Sequence, residues 1–299
     1  MANILISDAE KTFILHGVED NLRCDGRTRC DYRPMEIETA IVTHANGSCR
    51  LRLANTDVLV AVKSEIDIPP LENPDEGKIV FFVDCSANAA PEFEGRGGEE
   101  LAMEFSNTLE SAYRSRQAFN LKNLCILPQQ RCWKLYVDVL ILECGGNLYD
   151  AVSLAVKGAL FNTRLPKVTA ALMDGGNVDL ALSEDPYDCV RLQVESIPIL
   201  VTICKIGEHC VVDPSAEEEV CSSASLVVGV SVREENAYIT NMRTSGAGSF
   251  HMETLNKCLE LGKSAGQCLD RVLLRVLREE EQKIGNRPIG QTEIFGFLR

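Results

Sequence analysis

The segment "LYVDVLILECGGNLYDAVSLAVKGAL", residues 135–160, decides the fold. Its first half is an apolar run that predicts a buried strand, the pair Gly145 and Gly146 predicts a tight turn, and the remainder predicts a helix to about Asn162. Free backbone N–H groups at a helix start, together with the helix dipole, hold anions well. The segment therefore predicts a strand, turn and helix, and it raises the question of whether the turn binds phosphate.

The side chains around this turn argue against phosphate. Between Cys144 and Val156 there is no Lys, Arg or Thr, and the only charged group in the expected first helical turn is Asp150. The helix dipole itself stabilises a carboxylate there by roughly 0.3–1 kcal/mol, so that carboxylate would compete with a bound phosphate. We therefore favour a structural turn over a phosphate site.

The elements on either side of this segment predict an α+β fold. Alternating and apolar runs from Ile37 to Cys85 predict a meander of strands, and apolar residues from Leu101 to Ala112 have helical spacing. Beyond residue 192 come more strands and a long helix striped with apolar residues from Leu255 to Leu277. Two subdomains are expected from this order.

The order of the predicted elements also predicts the domain boundaries. Ser7 and Glu10 have the spacing of a capping box and predict the start of a short N-terminal helix. We expect an N-terminal helical segment over residues 1–30, a first subdomain over 31–166, a linker over 167–192, a second subdomain over 193–284 and a loosely held tail over 285–299.

Charge and cysteine content limit the possible functions. The formal net charge is -14, so the averaged field repels nucleic acid and anionic membranes, and any contact with RNA must be local or shared with a partner. The 13 cysteines include no C-x-x-C pair, and we expect reduced thiols and no metal site. The first residues lack the apolar run of a signal peptide, and we expect a soluble protein of the cytosol or nucleus.

Two further groups of side chains are candidates for chemistry or binding. Cys85 and Cys144 are candidate nucleophiles, with His16, His44, His209 or His251 as bases, although buried inert thiols are the favoured interpretation. Arg23, Arg27, Arg29 and Arg33, and separately Arg114 and Arg116 at the end of a predicted helix, are candidates for contacts with an RNA backbone. For a helix-end arginine, a helix cap or a surface ion pair is the alternative.

Four segments together resemble the RNase PH superfamily. They are "DGRTRCDYRPMEIET" (25–39), "FFVDCSANAAPEFEGRGGEELAMEFSNTL" (81–109), "DVLILECGGNLYDAVSLAVKGALFNTRLP" (138–166) and "DPYDCVRLQVESIPILVTICKIG" (185–207). The resemblance spans nearly the whole chain. It implies an RNase PH-like α+β fold with two βαβ-type subdomains, whose mixed sheets pack against helices.

The resemblance also implies a loss of catalysis. Members of the superfamily that degrade RNA by phosphorolysis carry a Gly-Gly-Thr-Arg turn, whereas Gly145 and Gly146 here are followed by Asn147, Leu148 and Tyr149. Active members also carry two aspartates before a strand of the second half. Their positions correspond here to a residue near Glu218 and to Ala224. No catalytic residue and no cofactor are therefore expected.

By resemblance, the chain is expected to be a non-catalytic ring subunit of the RNA exosome. Such subunits pair with a sister RNase PH-like subunit, join RNA-binding cap subunits, and guide single-stranded RNA during 3′-to-5′ degradation and ribosomal RNA maturation in the nucleus, nucleolus and cytoplasm. Arg114 and Arg116 are the expected RNA contacts. An active phosphate-dependent 3′ exoribonuclease and a thiol-dependent enzyme on the same fold remain the alternatives.

Overall fold

A computed structural model describes residues 6–114, 118–172, 178–183, 185, 188–234 and 236–285. These residues form five α-helices and fourteen strands. The helices are α1 (Asp8–Glu19), α2 (Glu99–Tyr113), α3 (Leu148–Asn162), α4 (Ala216–Cys221) and α5 (Met252–Gly285). The strands are β1 (Met35–Thr39), β2 (Gly47–Leu53), β3 (Thr56–Asp67), β4 (Lys78–Cys85), β5 (Cys125–Leu127), β6 (Arg131–Glu143), β7 (Arg164–Pro166), β8 (Val168–Leu172), β9 (Val178–Leu182), β10 (Cys189–Arg191), β11 (Ile199–Ile206), β12 (His209–Val212), β13 (Ala224–Arg233) and β14 (Asn236–Ser245).

The first sheet is mixed, as expected. Its order is β1-β2-β3-β6-β4, with β5 paired to β6. β4 and β6 run parallel, and α2 lies between them in the chain, which makes a βαβ unit. Successive side chains of a strand point to opposite faces, so Leu51, Val60 and Val139 are buried on one face of this sheet while Arg52 and Asp138 are exposed on the other.

The second sheet has the order β12-β11-β13-β14 and contains only antiparallel pairs among the described strands. The expectation of a mixed βαβ-type sheet is therefore wrong for the second subdomain. The physical reason is its short connections, since β11 joins β12, and β13 joins β14, without a crossover helix. The α5 helix packs on β11 and β13, and its residues Leu269, Leu273 and Leu277 are buried.

The α3 helix lies at the centre and contacts β2, β3 and β11, so it joins both sheets into one core. Nearly every residue from Leu148 to Leu160 is buried, including the polar Asp150, Ser153 and Lys157, because the helix is enclosed by the rest of the fold. At Gly158 an added Cβ would lie 2.7 Å from the Cys49 Sγ, so glycine permits close packing on β2. The buried Lys157 Nζ lies 2.5 Å from Asp270 Oδ1 and ties α3 to α5.

The remaining elements lie at the two ends of the chain and in the predicted linker. The predicted capping box at the start of α1 is confirmed, since Ser7 and Glu10 bond each other's backbone N–H groups. The predicted linker, residues 167–192, contains the β8–β9 hairpin and β10, which pairs with β7. The α5 helix ends at Gly285, and the rest of the predicted tail lies outside the described residues. No helix in the described part of the chain is long and apolar enough to cross a membrane.

Candidate functional site

The glycine turn between β6 and α3 is packed against the second half of the chain. Gly146 has a φ of +92°, and a Cβ added there would lie 2.4 Å from the backbone nitrogen of Ala216. At Gly145 an added Cβ would lie 2.6 Å from the Cβ of Asn55. Both glycines are thus required by close backbone packing, and no bound phosphate is needed to explain them.

Side chains hold the carbonyl groups of this turn. Arg33 donates from Nη1 to the Gly145 carbonyl at 2.8 Å and from Nη2 to the Gly146 carbonyl at 3.1 Å. The same guanidinium bonds both oxygens of Asp213, at 2.8 and 3.0 Å. The Thr56 hydroxyl donates to the Gly146 carbonyl at 2.7 Å. The predicted structural turn is therefore built from hydrogen bonds within the protein.

An internal carboxylate occupies the helix N-terminus. The Asn147 N–H donates to Glu219 Oε1 at 2.8 Å, and the Asn147 side-chain amide donates to Asp213 Oδ1 at 2.6 Å. Burial raises the pKa of Glu219, and the hydrogen bond from the Asn147 backbone opposes that rise. Glu219 thus takes the place at the N–H group where a phosphate would bind.

The expectation that Asp150 fills this role is wrong. Its Oδ1 accepts from the backbone N–H of Thr202 at 2.7 Å, and its Oδ2 accepts from the Tyr32 hydroxyl at 2.7 Å. Burial raises the pKa of Asp150 to about 7, against the opposing effect of the hydrogen bonds from Thr202 and Tyr32. Asp150 therefore joins α3 to β11 and to the N-terminal segment, and it does not face a ligand.

This arrangement predicts a pH-dependent stability. Between the ordinary pKa of 3.8 and about 7, the folded chain keeps a proton on Asp150 that the unfolded chain has lost, so stability falls as the pH rises. At about 1.4 kcal/mol per pKa unit, the fall has an upper bound of about 4 kcal/mol. Urea denaturation of Asp150→Asn from pH 4 to 8 should show a shallower fall than the wild type. An identical slope in the two proteins would contradict this assignment.

A cavity of about 220 Å³ lies beside the turn. It is lined by Phe93, Leu101, Glu104, Phe105, Cys144, Leu148, Tyr149, Thr202, Cys204, Ala216, Glu219, Ser222, Ser225 and Ser245. Its charged lining residues are carboxylates, and none of these lining residues is a cation. The Tyr149 hydroxyl donates to Glu104 at 2.5 Å, and Arg243 bonds the same carboxylate at 2.9 Å. The cavity lining therefore offers no positive charge of its own to hold an inorganic phosphate.

The two positions that the resemblance aligns with catalytic aspartates lie in different surroundings. Ala224 begins β13 with 1% of its surface exposed and does not line the cavity. Glu218 is buried and pairs with Arg23. Glu219, which the sequence interpretation missed, is the α4 carboxylate that lines the cavity. Within the described residues, no three His, Cys, Asp or Glu side chains are grouped so as to hold a metal.

The first arginine cluster points inward, so its interpretation as an RNA contact is wrong for Arg23 and Arg33, which are buried. Arg23 donates to the Val212 and Asp213 carbonyl groups as well as to Glu218. Arg27 bonds Asp213 at 2.9 Å. These guanidinium groups hold the N-terminal segment against the loop that follows β12.

Arg114 is exposed and lies at the end of α2, as predicted. It lines an open groove of about 650 Å³ together with Lys78, Lys134 and Glu110. Arg116 lies outside the described residues. The groove brings together basic side chains from α2, β4 and β6, which lie far apart in the sequence.

The candidate thiols have the properties of inert cysteines, Cys85 being buried and Cys144 half-buried. Burial raises the pKa of Cys85 to about 11 and also raises the pKa of Cys144. Among the described residues, no hydrogen bond joins either thiol to a histidine, and His209 instead contacts Arg29. A thiolate at Cys85 or Cys144 is thus disfavoured at neutral pH.

Comparison with known proteins connects this geometry to a family. The profile of the 3′ exoribonuclease family matches residues 31–166 with its domain 1 and residues 196–265 with its domain 2. The chain is 35% identical to the putative exosome complex exonuclease RRP42 of Dictyostelium discoideum, over 92% of this chain and 98% of that protein. It is 34% identical to the exosome complex component Rrp42 of Sulfurisphaera tokodaii, over 87% and 91%.

Solved structures agree with the sequence comparisons. The Archaeoglobus fulgidus exosome with RNA bound to the active site contains a chain that matches with a TM-score of 0.73 and 27% identity, over 92% of this chain and 98% of that one. These matches confirm the RNase PH-like α+β fold and the predicted resemblance. Because both domain profiles match and relatives above 30% identity align over most of their length, the chain belongs to the RNase PH-like 3′ exoribonuclease family.

Proposed function

We propose that this chain is a non-catalytic ring subunit of an RNA exosome. One observation carries the proposal of inactivity: Glu219 bonds the Asn147 N–H group beside a cavity whose charged lining residues are carboxylates. Phosphorolysis needs a phosphate nucleophile in that region, and no residue that lines the cavity is a cation that could hold such an anion. The names of the relatives and the solved exosome structures support a place in the ring.

The proposed assembly includes a sister RNase PH-like subunit as heterodimer partner and RNA-binding cap subunits above the ring. In this role the chain positions single-stranded RNA for 3′-to-5′ degradation and for ribosomal RNA maturation, in the nucleus, nucleolus and cytoplasm. Arg114 supports the RNA contact, because it is exposed in a groove that also contains Lys78 and Lys134. A local basic groove is the kind of contact that a chain of net charge -14 requires.

A phosphorolysis assay tests the inactivity. The purified chain, given inorganic phosphate, magnesium and a single-stranded RNA, is expected to release no nucleoside diphosphates, because its own carboxylates line the phosphate region. Release that depends on phosphate would overturn the proposal in favour of an active 3′ exoribonuclease. RNA degradation that needs no inorganic phosphate, yields nucleoside monophosphates and is abolished by alkylating the thiols would favour the thiol-dependent alternative.

RNA binding by the reconstituted ring tests Arg114. Each phosphate neutralised on single-stranded RNA contributes about -0.7 to the slope of log affinity against log salt. Arg114→Glu should therefore weaken binding to all sequences alike and make the slope less steep. Arg96→Glu is the matched control, because Arg96 is 91% exposed and precedes α2 at its opposite end.

Assembly on a sizing column should be unchanged in both variants. Wild-type affinity and salt slope in Arg114→Glu, with a small loss of heat stability, would show that Arg114 only caps its helix. An equal loss of binding in the Arg96→Glu ring would show a general charge effect. It would also contradict the assignment of Arg114 as an RNA contact.

A further inference from the structure

Two thiols meet in the second subdomain, away from the glycine turn. The Sγ atoms of Cys210 and Cys258 lie 3.1 Å apart, although the residues are 48 positions apart in the chain. Cys210 lies in β12, an edge strand of the second sheet, and Cys258 lies in α5. A disulfide has an S–S length of about 2.05 Å. The pair is therefore about one ångström from bonding distance.

The two thiols differ in ways suited to sequential oxidation. Cys210 is partly exposed, whereas Cys258 is completely buried. The hydrogen bond with Cys258 lowers the pKa of Cys210, and the nearby charges of Lys205 and Lys257 lower it further, against the effect of burial. Positive surroundings and partial exposure are the conditions under which a cysteine reacts as a thiolate. A reagent thus meets Cys210 first.

Other cysteines lack this combination. Burial raises the pKa of Cys49, Cys85 and Cys204, which disfavours their thiolates. Cys125 and Cys132 face each other across β5 and β6, but burial raises the pKa of both thiols. This cross-strand pair is a matched control for proximity without activation.

We propose that Cys210 and Cys258 form a reversible redox pair that a hydroperoxide oxidises to a disulfide. The Cys210 thiolate attacks the terminal peroxide oxygen and the O–O bond breaks. The leaving group takes a proton: hydroxide from hydrogen peroxide becomes water, and alkoxide from an organic hydroperoxide becomes an alcohol. Cys210 is then a sulfenic acid. The Cys258 sulfur attacks it, its proton passes to the leaving hydroxide, and a water molecule departs. The two thiols together supply the two electrons that reduce the peroxide.

The disulfide would tie the edge strand β12 to α5. β12 leads directly into Asp213, the residue to which Arg33 and Asn147 bond. A covalent link that closes a loop of this length restricts the unfolded chain and stabilises the fold. We expect the melting temperature of the oxidised chain to rise by about 5 °C or more.

The test uses the full-length reduced chain, treated with hydrogen peroxide and then alkylated. The wild type should lose two of its 13 alkylatable thiols, and peptide mapping without reductant should join residues 210 and 258. Dithiothreitol should restore both thiols. Cys258→Ser should accumulate a dimedone-reactive sulfenic acid at Cys210, whereas Cys210→Ser should form neither that adduct nor the disulfide.

The control variant Cys132→Ser should keep the 210–258 disulfide and its thermal shift. A disulfide that maps to the Cys125–Cys132 pair instead, or to no pair at all, would overturn the proposal. Equal peroxide consumption by the wild type and Cys210→Ser, with the disulfide absent from both, would overturn it as well. These outcomes are independent of whether the chain enters a ring or binds RNA.

Discussion

Replacing Gly146 by alanine is expected to destabilise the chain by about 3–5 kcal/mol. The residue has a φ of +92°, a conformation that an L side chain resists. The added Cβ would also lie 2.4 Å from the nitrogen of Ala216 and 2.6 Å from the carbonyl carbon of Ser215. Both are backbone atoms, so relief requires moving α4 away from the turn. Urea denaturation followed by circular dichroism measures the loss.

Gly95→Ala is the matched control for this prediction. Gly95 also has a positive φ, of +69°, but an added Cβ there meets nothing within 4 Å. Gly95→Ala should therefore lower the free energy of unfolding only by the backbone strain, about 1–2 kcal/mol. Equal losses at the two positions would show that the close approach between the turn and α4 contributes no strain, and the structural explanation of the glycine pair would fail.

Replacing Asp213 by alanine is expected to cost a similar amount, about 3–5 kcal/mol. The carboxylate is buried and accepts from Arg33, Arg27 and Asn147. Its removal leaves the buried Arg33 guanidinium without its counter-charge, which is the costly way to break an ion pair. Because Arg33 also holds the carbonyls of the glycine turn, we expect the turn to loosen as well.

A surface carboxylate provides the control for Asp213. Asp67 bonds Lys78 at 2.9 Å, but its side chain is 36% exposed, so Asp67→Ala should cost about 0–1 kcal/mol. Desolvation opposes ionisation of Asp213, yet the hydrogen bond and charge of Arg33 outweigh it and lower its pKa below 3.8. The wild type should therefore lose this stabilisation as the pH falls through that lowered pKa, and Asp213→Ala should lack this acid-dependent loss. A loss of stability no larger than that of Asp67→Ala would contradict the central role of Asp213.

Much of the fold is determined by the sequence alone, because the signals are local. The capping box at Ser7 and Glu10, the strand and helix around the glycine pair, and the apolar face of α2 each depend on residues within a few positions of one another. The absence of a basic side chain after Gly145 and Gly146 is also a local fact. This absence by itself predicts a structural turn.

The composition of the site was decided only by the tertiary structure. Asn147 and Glu219 are 72 residues apart, and Cys210 and Cys258 are 48 apart, so no spacing in the sequence indicates that they meet. The resemblance points to Glu218, one residue before the α4 carboxylate that lines the cavity. Neighbouring side chains on a helix point about 100° apart. On α4 this turns Glu218 toward Arg23 and Glu219 toward the cavity, and only the packing of α4 against the turn determines which carboxylate faces the site.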